Sequence, residues 1–157
     1  MKNNLKSTIS ISLLVLPLSA NALLSTCTVA ATATSFSNYF ATLATNNDGI
    51  GDVAITCTAQ VAAGLGSYTI GLSTGSGTYI NRTLISGTNF LNYNLYSDPT
   101  RLIVWGDGSA GTQTVTDSYL ILLTPTTHHY TVYGRIPPGQ SKPASTYTDT
   151  VAVTVTY

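Results

Sequence analysis

From Tyr147 to Tyr157 the chain reads Y-T-D-T-V-A-V-T-V-T-Y. Val151, Val153, Val155 and Tyr157 share one face, and Thr150, Ala152, Thr154 and Thr156 share the other, which is the two-residue period of a half-buried β-strand. Short runs of the same character recur upstream. They predict strands at Cys27–Thr32, Ser35–Leu43, Asp52–Thr58, Ser67–Ser73, Thr78–Ile85, Leu91–Tyr96, Leu102–Trp105, Ser118–Leu123, His129–Ile136 and Thr148–Tyr157. Turn-forming clusters separate them: Asn46-Asn47-Asp48-Gly49, Gly75-Ser76-Gly77, Ser97-Asp98-Pro99, Gly106-Asp107-Gly108 and Pro137-Pro138-Gly139 tolerate positive φ or preset a turn. No ten-residue stretch carries an apolar stripe at helical spacing, and no internal repeat marks a solenoid or propeller. The pattern therefore predicts an all-β sandwich with Greek-key connections. The terminal strand has nothing after it, so its edge is expected to be covered internally or completed by a partner strand.

The first 22 residues differ in kind. Lys2 and Lys6 precede an apolar run from Ile9 to Leu18, followed by Ala20-Asn21-Ala22, the pattern of a secretory signal with an A-x-A cleavage site. The apolar run is too short to span a bilayer, which takes about 20 residues, so no membrane insertion is expected. Removing 22 of the 157 residues leaves 135, enough for one domain, residues 23–157, with its own core. That domain has four cationic side chains against six aspartates and no glutamate. So few cations exclude nucleic-acid binding, which needs clustered Lys and Arg, and argue against an anionic membrane surface.

Cys27 and Cys57 are the only cysteines. Export to an oxidising compartment makes them a predicted disulfide, worth about 3.6 kcal/mol in the chain-entropy model for a loop of this length. A metal or redox site has no support: there is no C-x-x-C, and the only histidines, His128 and His129, are adjacent on a strand and diverge. No cofactor is expected.

Other constellations weigh less. Gly71-Leu72-Ser73-Thr74-Gly75 fits G-x-S-x-G, with Asp98 or Asp107 and then His128 or His129 in the chain order of an α/β-hydrolase triad. That motif needs a strand-turn-helix elbow, whereas the residues that follow read as another strand, so no catalytic residue is assigned. Asn46-Asn47-Asp48-Gly49 with Asp52 approaches a calcium loop, but its first position falls on Ala44 and no Glu closes it. Trp105 and the ten tyrosines are read as strand packing ahead of a sugar-binding surface. Arg135 is expected either to pair with Asp149 or to face solvent, and Gly134 within the same strand marks a bulge or a close backbone approach.

Several segments, in order, resemble one family. S-F-S-N-Y-F from Ser35, G-D-V-A-I-T-C-T around Cys57, L-N-Y-N-L-Y-S-D from Leu91, W-G-D-G from Trp105, V-Y-G-R-I-P from Val132 and the closing Y-T-D-T-V-A-V-T-V-T-Y are similar to the spore coat protein U domain, also the subunit domain of archaic chaperone–usher pili. The resemblance covers nearly all of residues 23–157. It implies an incomplete immunoglobulin-like sandwich lacking its last strand, with Val151, Val153, Val155 and Tyr157 on the edge that receives a partner's strand. The implied partners are a periplasmic chaperone, an outer-membrane usher and other pilus subunits, with the Tyr157 carboxylate open to a basic chaperone residue. The implied route runs through the periplasm to the cell surface, and in a bacterial setting the sequon Asn81-Arg82-Thr83 is incidental. One departure stands out: shaft subunits carry a donor segment before the first cysteine, while cleavage after Ala22 leaves only Leu23 to Thr26, reaching about 14 Å. The mature chain is thus expected to accept a strand but not to donate one, which fits a terminal position or work outside a polymer; against the tip, the tip adhesins of the resembling family usually carry a second domain.

Three function classes follow. The first is a non-enzymatic pilin-like subunit, with adhesion or biofilm formation as its outward role. The second is a secreted coat or matrix protein outside a pilus, and the third, disfavoured by the fold, a small serine hydrolase. Intact-mass measurement of the secreted protein should place its first residue at Leu23; a mature chain retaining Ile9–Leu18 would refute the signal assignment.

Overall fold

The computed structural model describes residues 25–59, 64–120 and 122–157; the predicted signal segment lies outside them. They form eight strands, β1 (Ser25–Ser35), β2 (Asn47–Ala59), β3 (Leu65–Leu72), β4 (Arg82–Ser86), β5 (Asn89–Tyr96), β6 (Val115–Leu120), β7 (Thr126–Ile136) and β8 (Val153–Thr156). One sheet has the order β1-β2-β7-β5-β4 and the other β6-β3-β8, with all ladders antiparallel. Non-consecutive neighbours such as β2–β7 give the connections a Greek-key sandwich requires. The architecture is an immunoglobulin-like β-sandwich. No described helix is long and apolar enough to cross a membrane.

The core follows from strand alternation. Val53, Ile55 and Cys57 on β2, Tyr68, Ile70 and Leu72 on β3, Leu91, Tyr93 and Leu95 on β5, and Val132 and Ile136 on β7 are every second residue, and all are buried. Trp105 is wholly buried and ties the sheets together. Its backbone N–H donates to Leu95 O (3.0 Å) in one sheet and its indole N–H to Ile70 O (3.0 Å) in the other. Elsewhere between the layers the Tyr130 hydroxyl on β7 donates to Asp117 Oδ2 on β6 (2.6 Å) and is hydrogen-bonded to the Tyr68 hydroxyl on β3.

Four predicted strands end up different. Thr78–Ile85 begins only at Arg82, because Thr78 and Asn81 close a turn, Thr78 N–H donating to Asn81 O (2.9 Å). Ser35–Leu43 leaves the sheet after Ser35, because Phe36 turns inward over a registered glycine pair, Gly49 and Gly134. A Cβ at Gly134 would stand 2.6 Å from the Phe36 ring, so the glycine answers a close approach rather than a bulge. Tyr39 then anchors the loop by donating to Pro137 O (3.0 Å). Leu102–Trp105 is reduced to isolated bridges, since Asp98 accepts from the N–H groups of Leu102 and Ile103 and holds them in a turn. The terminal strand shortens to Val153–Thr156, while Thr148 bridges to Ile85 on β4.

Arg82, at the start of β4, is fully buried. Its Nε and one terminal nitrogen donate to Ser73 O (3.1 and 2.8 Å), that same nitrogen also to Trp105 O (2.7 Å), and the other to Asn94 Oδ1 (2.7 Å), with the guanidinium 5.5 Å from the Tyr79 ring centroid. Desolvation lowers its pKa below the ordinary arginine value. Every acceptor is neutral, so the cation is held by hydrogen bonds rather than by a salt bridge. Within the sequon this residue gives no sign of burial. Replacing it, Arg82→Met, leaves two carbonyls, Ser73 O and Trp105 O, without donors, while Asn94 Oδ1 keeps the Leu95 N–H (2.9 Å); at about 1–3 kcal/mol each the loss should reach at least about 2 kcal/mol in urea unfolding. An unchanged midpoint would show that the acceptors find other donors.

Candidate functional site: an open cleft between the sheet edges

β1 edges the five-stranded sheet and β8 the three-stranded one; among the described strands each has a single hydrogen-bonded neighbour. The segment leading to β8 crosses between the sheets. Thr148 exchanges both backbone hydrogen bonds with Ile85 (2.7 and 3.0 Å), after which Ser73 N–H donates to Ala152 O (2.9 Å) and Val153 pairs with Leu72. Between this crossing and β1 lies an open cleft of about 330 Å³. Ala31–Thr34 form one lip, and Asp149, Thr150, Val151 and Val153 the other. Its floor is the core itself: Val53, Leu72, Leu84, Tyr93, Leu95 and Val132.

Local chemistry shapes each lip. β1 bulges between Thr32 and Ser35, where Gly51 lies beneath it; a Cβ there would stand 2.6 Å from Thr34 Oγ1. Farther along β1, Cys27 and Cys57 face each other in register and are joined by a disulfide. On the opposite lip Asp149 is a clamp. Its Oδ1 accepts from Ser76 N–H (2.9 Å), Ser76 O–H (2.7 Å) and Thr150 N–H (2.8 Å), and its Oδ2 accepts from the Tyr93 hydroxyl (2.7 Å). Burial, reinforced by that carboxylate, pushes the Tyr93 phenol far above its ordinary 10.0, so it remains a donor.

Of the sequence-predicted edge residues, Val151 and Val153 line the cleft. Val155 is half-buried against the core, and Tyr157 lies past the end of β8, 58% exposed. The floor residues from β4, β5 and β7 were not foreseen as site residues, because a strand pattern shows which residues face inward but not where the interior is left uncovered.

Compared with models of known families, residues 13–154 match the Spore Coat Protein U domain. The chain belongs to this family. Protein U of Myxococcus xanthus is 37% identical over 113 residues, a match spanning 69% of this chain and 60% of that protein. Among solved structures, a chain of the CsuC–CsuE chaperone–tip adhesion subunit pre-assembly complex, from archaic chaperone–usher Csu pili of Acinetobacter baumannii, superposes with a TM-score of 0.56 at 22% identity. That match covers 85% of this chain and 40% of the other, and shows a shared fold.

The remaining candidates are engaged elsewhere in this Spore Coat Protein U domain. Ser73 Oγ accepts from the N–H groups of Gly75 (3.3 Å) and Ala152 (2.9 Å), at a turn after β3 rather than a strand-to-helix elbow. His128 pairs with Asp117 (3.3 Å) and His129 with Asp52 (2.8 Å). In the Asn46–Asp52 segment, Asn47 holds Ser37, and Asp48 is taken by arginines. Trp105 packs in the core, as its strand-packing reading expects.

Arg135 requires a correction: it pairs neither with Asp149 nor with solvent alone. It projects from the outer face of β7 directly across from Asp48 on β2 and grips that carboxylate with two hydrogen bonds of 2.8 Å, while Arg101 adds a contact of 3.3 Å. Asp149 belongs to the inner side, at the cleft. The bonds from Arg135 hold the Asp48 carboxyl below its ordinary 3.8. A carboxylate depressed on folding stabilises above the unfolded pKa, and that contribution disappears as pH falls through the folded one. The stability difference between the native chain and Asp48→Asn, read from urea midpoints, should hold steady near neutrality and close below pH 3.8. A difference persisting at about pH 2 would contradict the pairing.

Proposed function

We propose that this protein is an exported, non-enzymatic, pilin-like subunit whose open cleft receives a strand from a partner. A periplasmic chaperone supplies the strand first, and a neighbouring subunit replaces it at the outer-membrane usher on the way to the cell surface. The observation that carries this reading is the cleft between two singly paired edges, with core side chains as its floor. An inserted strand hydrogen-bonds an edge through its backbone and presents alternate apolar side chains to the floor, the physics of β-augmentation. Each apolar side chain it buries contributes about 1.5–3 kcal/mol. Family membership and the fold shared with a Csu pilus complex support the same conclusion. A terminal place in the fibre, with adhesion or biofilm formation as its role, is the narrower form of this reading and rests on a mature chain beginning at Leu23.

A second reading, a coat or matrix protein working outside a pilus, is favoured by the family's own description. The two differ in who supplies the strand. The mature, oxidised chain should self-associate when produced alone and become a monomer with a higher urea midpoint when an alternating apolar peptide is fused after Tyr157. Val153→Lys, which puts a charge in the cleft, should abolish that gain. Co-purification with a periplasmic chaperone selects the pilus; completion by a second copy without a chaperone selects the matrix protein. An isolated chain that is monomeric, unfolds cooperatively and ignores the fused peptide would overturn both.

A further inference from the structure

Thirteen glycines occur in the chain. Six have positive φ, and six more could not carry a Cβ without meeting another atom closer than 3 Å. Gly71 is the exception. It sits inside β3 without a positive φ, and a Cβ there would meet nothing nearer than Gly106 O at 3.5 Å, ordinary van der Waals distance. A glycine within a strand weakens it; here it leaves a hollow bounded on one side by the backbone of Gly106 and Asp107, the Cα of Asp107 standing 3.6 Å from such a Cβ.

Gly71 lines a second cleft, of about 280 Å³, on the outer face of the three-stranded sheet. The alternation of β8 separates the two cavities: Val153 faces the first and Thr154 and Thr156 the second. Thr69, Leu72, Ser73, Tyr79, Asp107 and Thr114 complete the walls of the second. The hydroxyls of Thr114, Thr154 and Thr156 make no hydrogen bond to any described residue, whereas the Tyr79 hydroxyl donates to Leu72 O (3.2 Å) and Asp107 Oδ1 accepts from both donors of Ser109 (2.9 and 2.6 Å). No Lys, Arg or His lines the cleft, and the one charged wall group is a carboxylate, which repels anions and accepts hydroxyl donors. Thr154 and Thr156 stand about 6.8 Å apart along the strand, the width of one substituted six-membered ring. Threonine methyl groups beside free hydroxyls offer both an apolar and a hydrogen-bonding surface to such a ring.

We infer that this cleft binds a single neutral pyranose residue of a glycan, seated over Gly71 between Thr154, Thr156 and Asp107. The site is separate from the strand-accepting cleft and does not depend on it. The test is saturation-transfer NMR on the secreted, oxidised protein with the methyl glycosides of glucose, mannose and galactose and with N-acetylglucosamine, up to ~10 mM. At least one should bind. Gly71→Val, a strand-favouring side chain placed in the hollow, should abolish binding without changing the circular dichroism spectrum. Thr154→Val and Thr156→Val, near-isosteres lacking the hydroxyl, should each weaken it about fivefold. Glucuronate should bind at least about tenfold more weakly than glucose, and Asp107→Asn should narrow that gap. Absence of binding by every neutral sugar, or binding that survives Gly71→Val, overturns the inference. Should Gly71→Val fail to fold, unchanged affinity in the two threonine variants overturns it instead.

Discussion

The crossing of the chain from one sheet to the other after Thr148 is the constraint on which the rest turns. Thr148 is hydrogen-bonded to β4 at the edge of the five-stranded sheet, and by Val153 the backbone pairs with β3 in the other layer. A segment stretched across the gap cannot also lie along the edge of either sheet, so the interior beside it stays uncovered. The Asp149 clamp fixes the crossing. It ties the segment to the Ser76 turn and to Tyr93 on β5, so this lip of the cleft refers back to rigid sheet positions.

Behind the clamp stands the Arg82 cluster. A buried guanidinium satisfied only by Ser73 O, Trp105 O and Asn94 Oδ1 is costly to desolvate, and replacing the whole cluster with apolar groups could be neutral for stability. What the cluster supplies is position. Its donors fix the end of β3, the start of β4, the middle of β5 and the Trp105 turn relative to one another, and these segments surround the floor of the cleft. An apolar core lacking this directionality would allow the layers to slide, and an uncovered interior would then tend to collapse shut.

Much of this was legible in the residues, for identifiable reasons. Val151, Val153 and Val155 alternate with small and polar residues, and period two leaves little choice of face, so the inward side of β8 could be read directly. Cys27 and Cys57 needed only compartment chemistry to be paired. Arg82 could not be read, because its burial depends on acceptors from residues 73, 94 and 105, distant in sequence and close only in the folded chain. Arg135 was assigned the wrong aspartate for a similar reason: Asp48 and Asp149 are equivalent in composition, and only the β2–β7 register separates them. The Ser35–Leu43 alternation misled because Phe36 and Tyr39, which a strand would place on opposite faces, both pack against the core from a loop, while Phe40 and Leu43 remain exposed.

The two lips differ in how they are held, and that difference bears on strand entry. β8 packs Val153 and Val155 against the core, so its position is set by apolar burial. β1 has Val29 as its one large apolar side chain, and that residue is 42% exposed; the strand is retained by its ladder to β2 and by the Cys27–Cys57 disulfide. A lip held by covalent and backbone bonds, with little packed behind it, can tilt without opening a cavity, whereas displacing β8 would forfeit part of the about 1.5–3 kcal/mol that full burial of a valine contributes, for each of its two half-buried valines. Under the proposed strand insertion, adjustment falls on the Ala31–Thr34 end of β1, where the bulge over Gly51 already breaks the regular ladder, while the disulfide keeps the other end from peeling away.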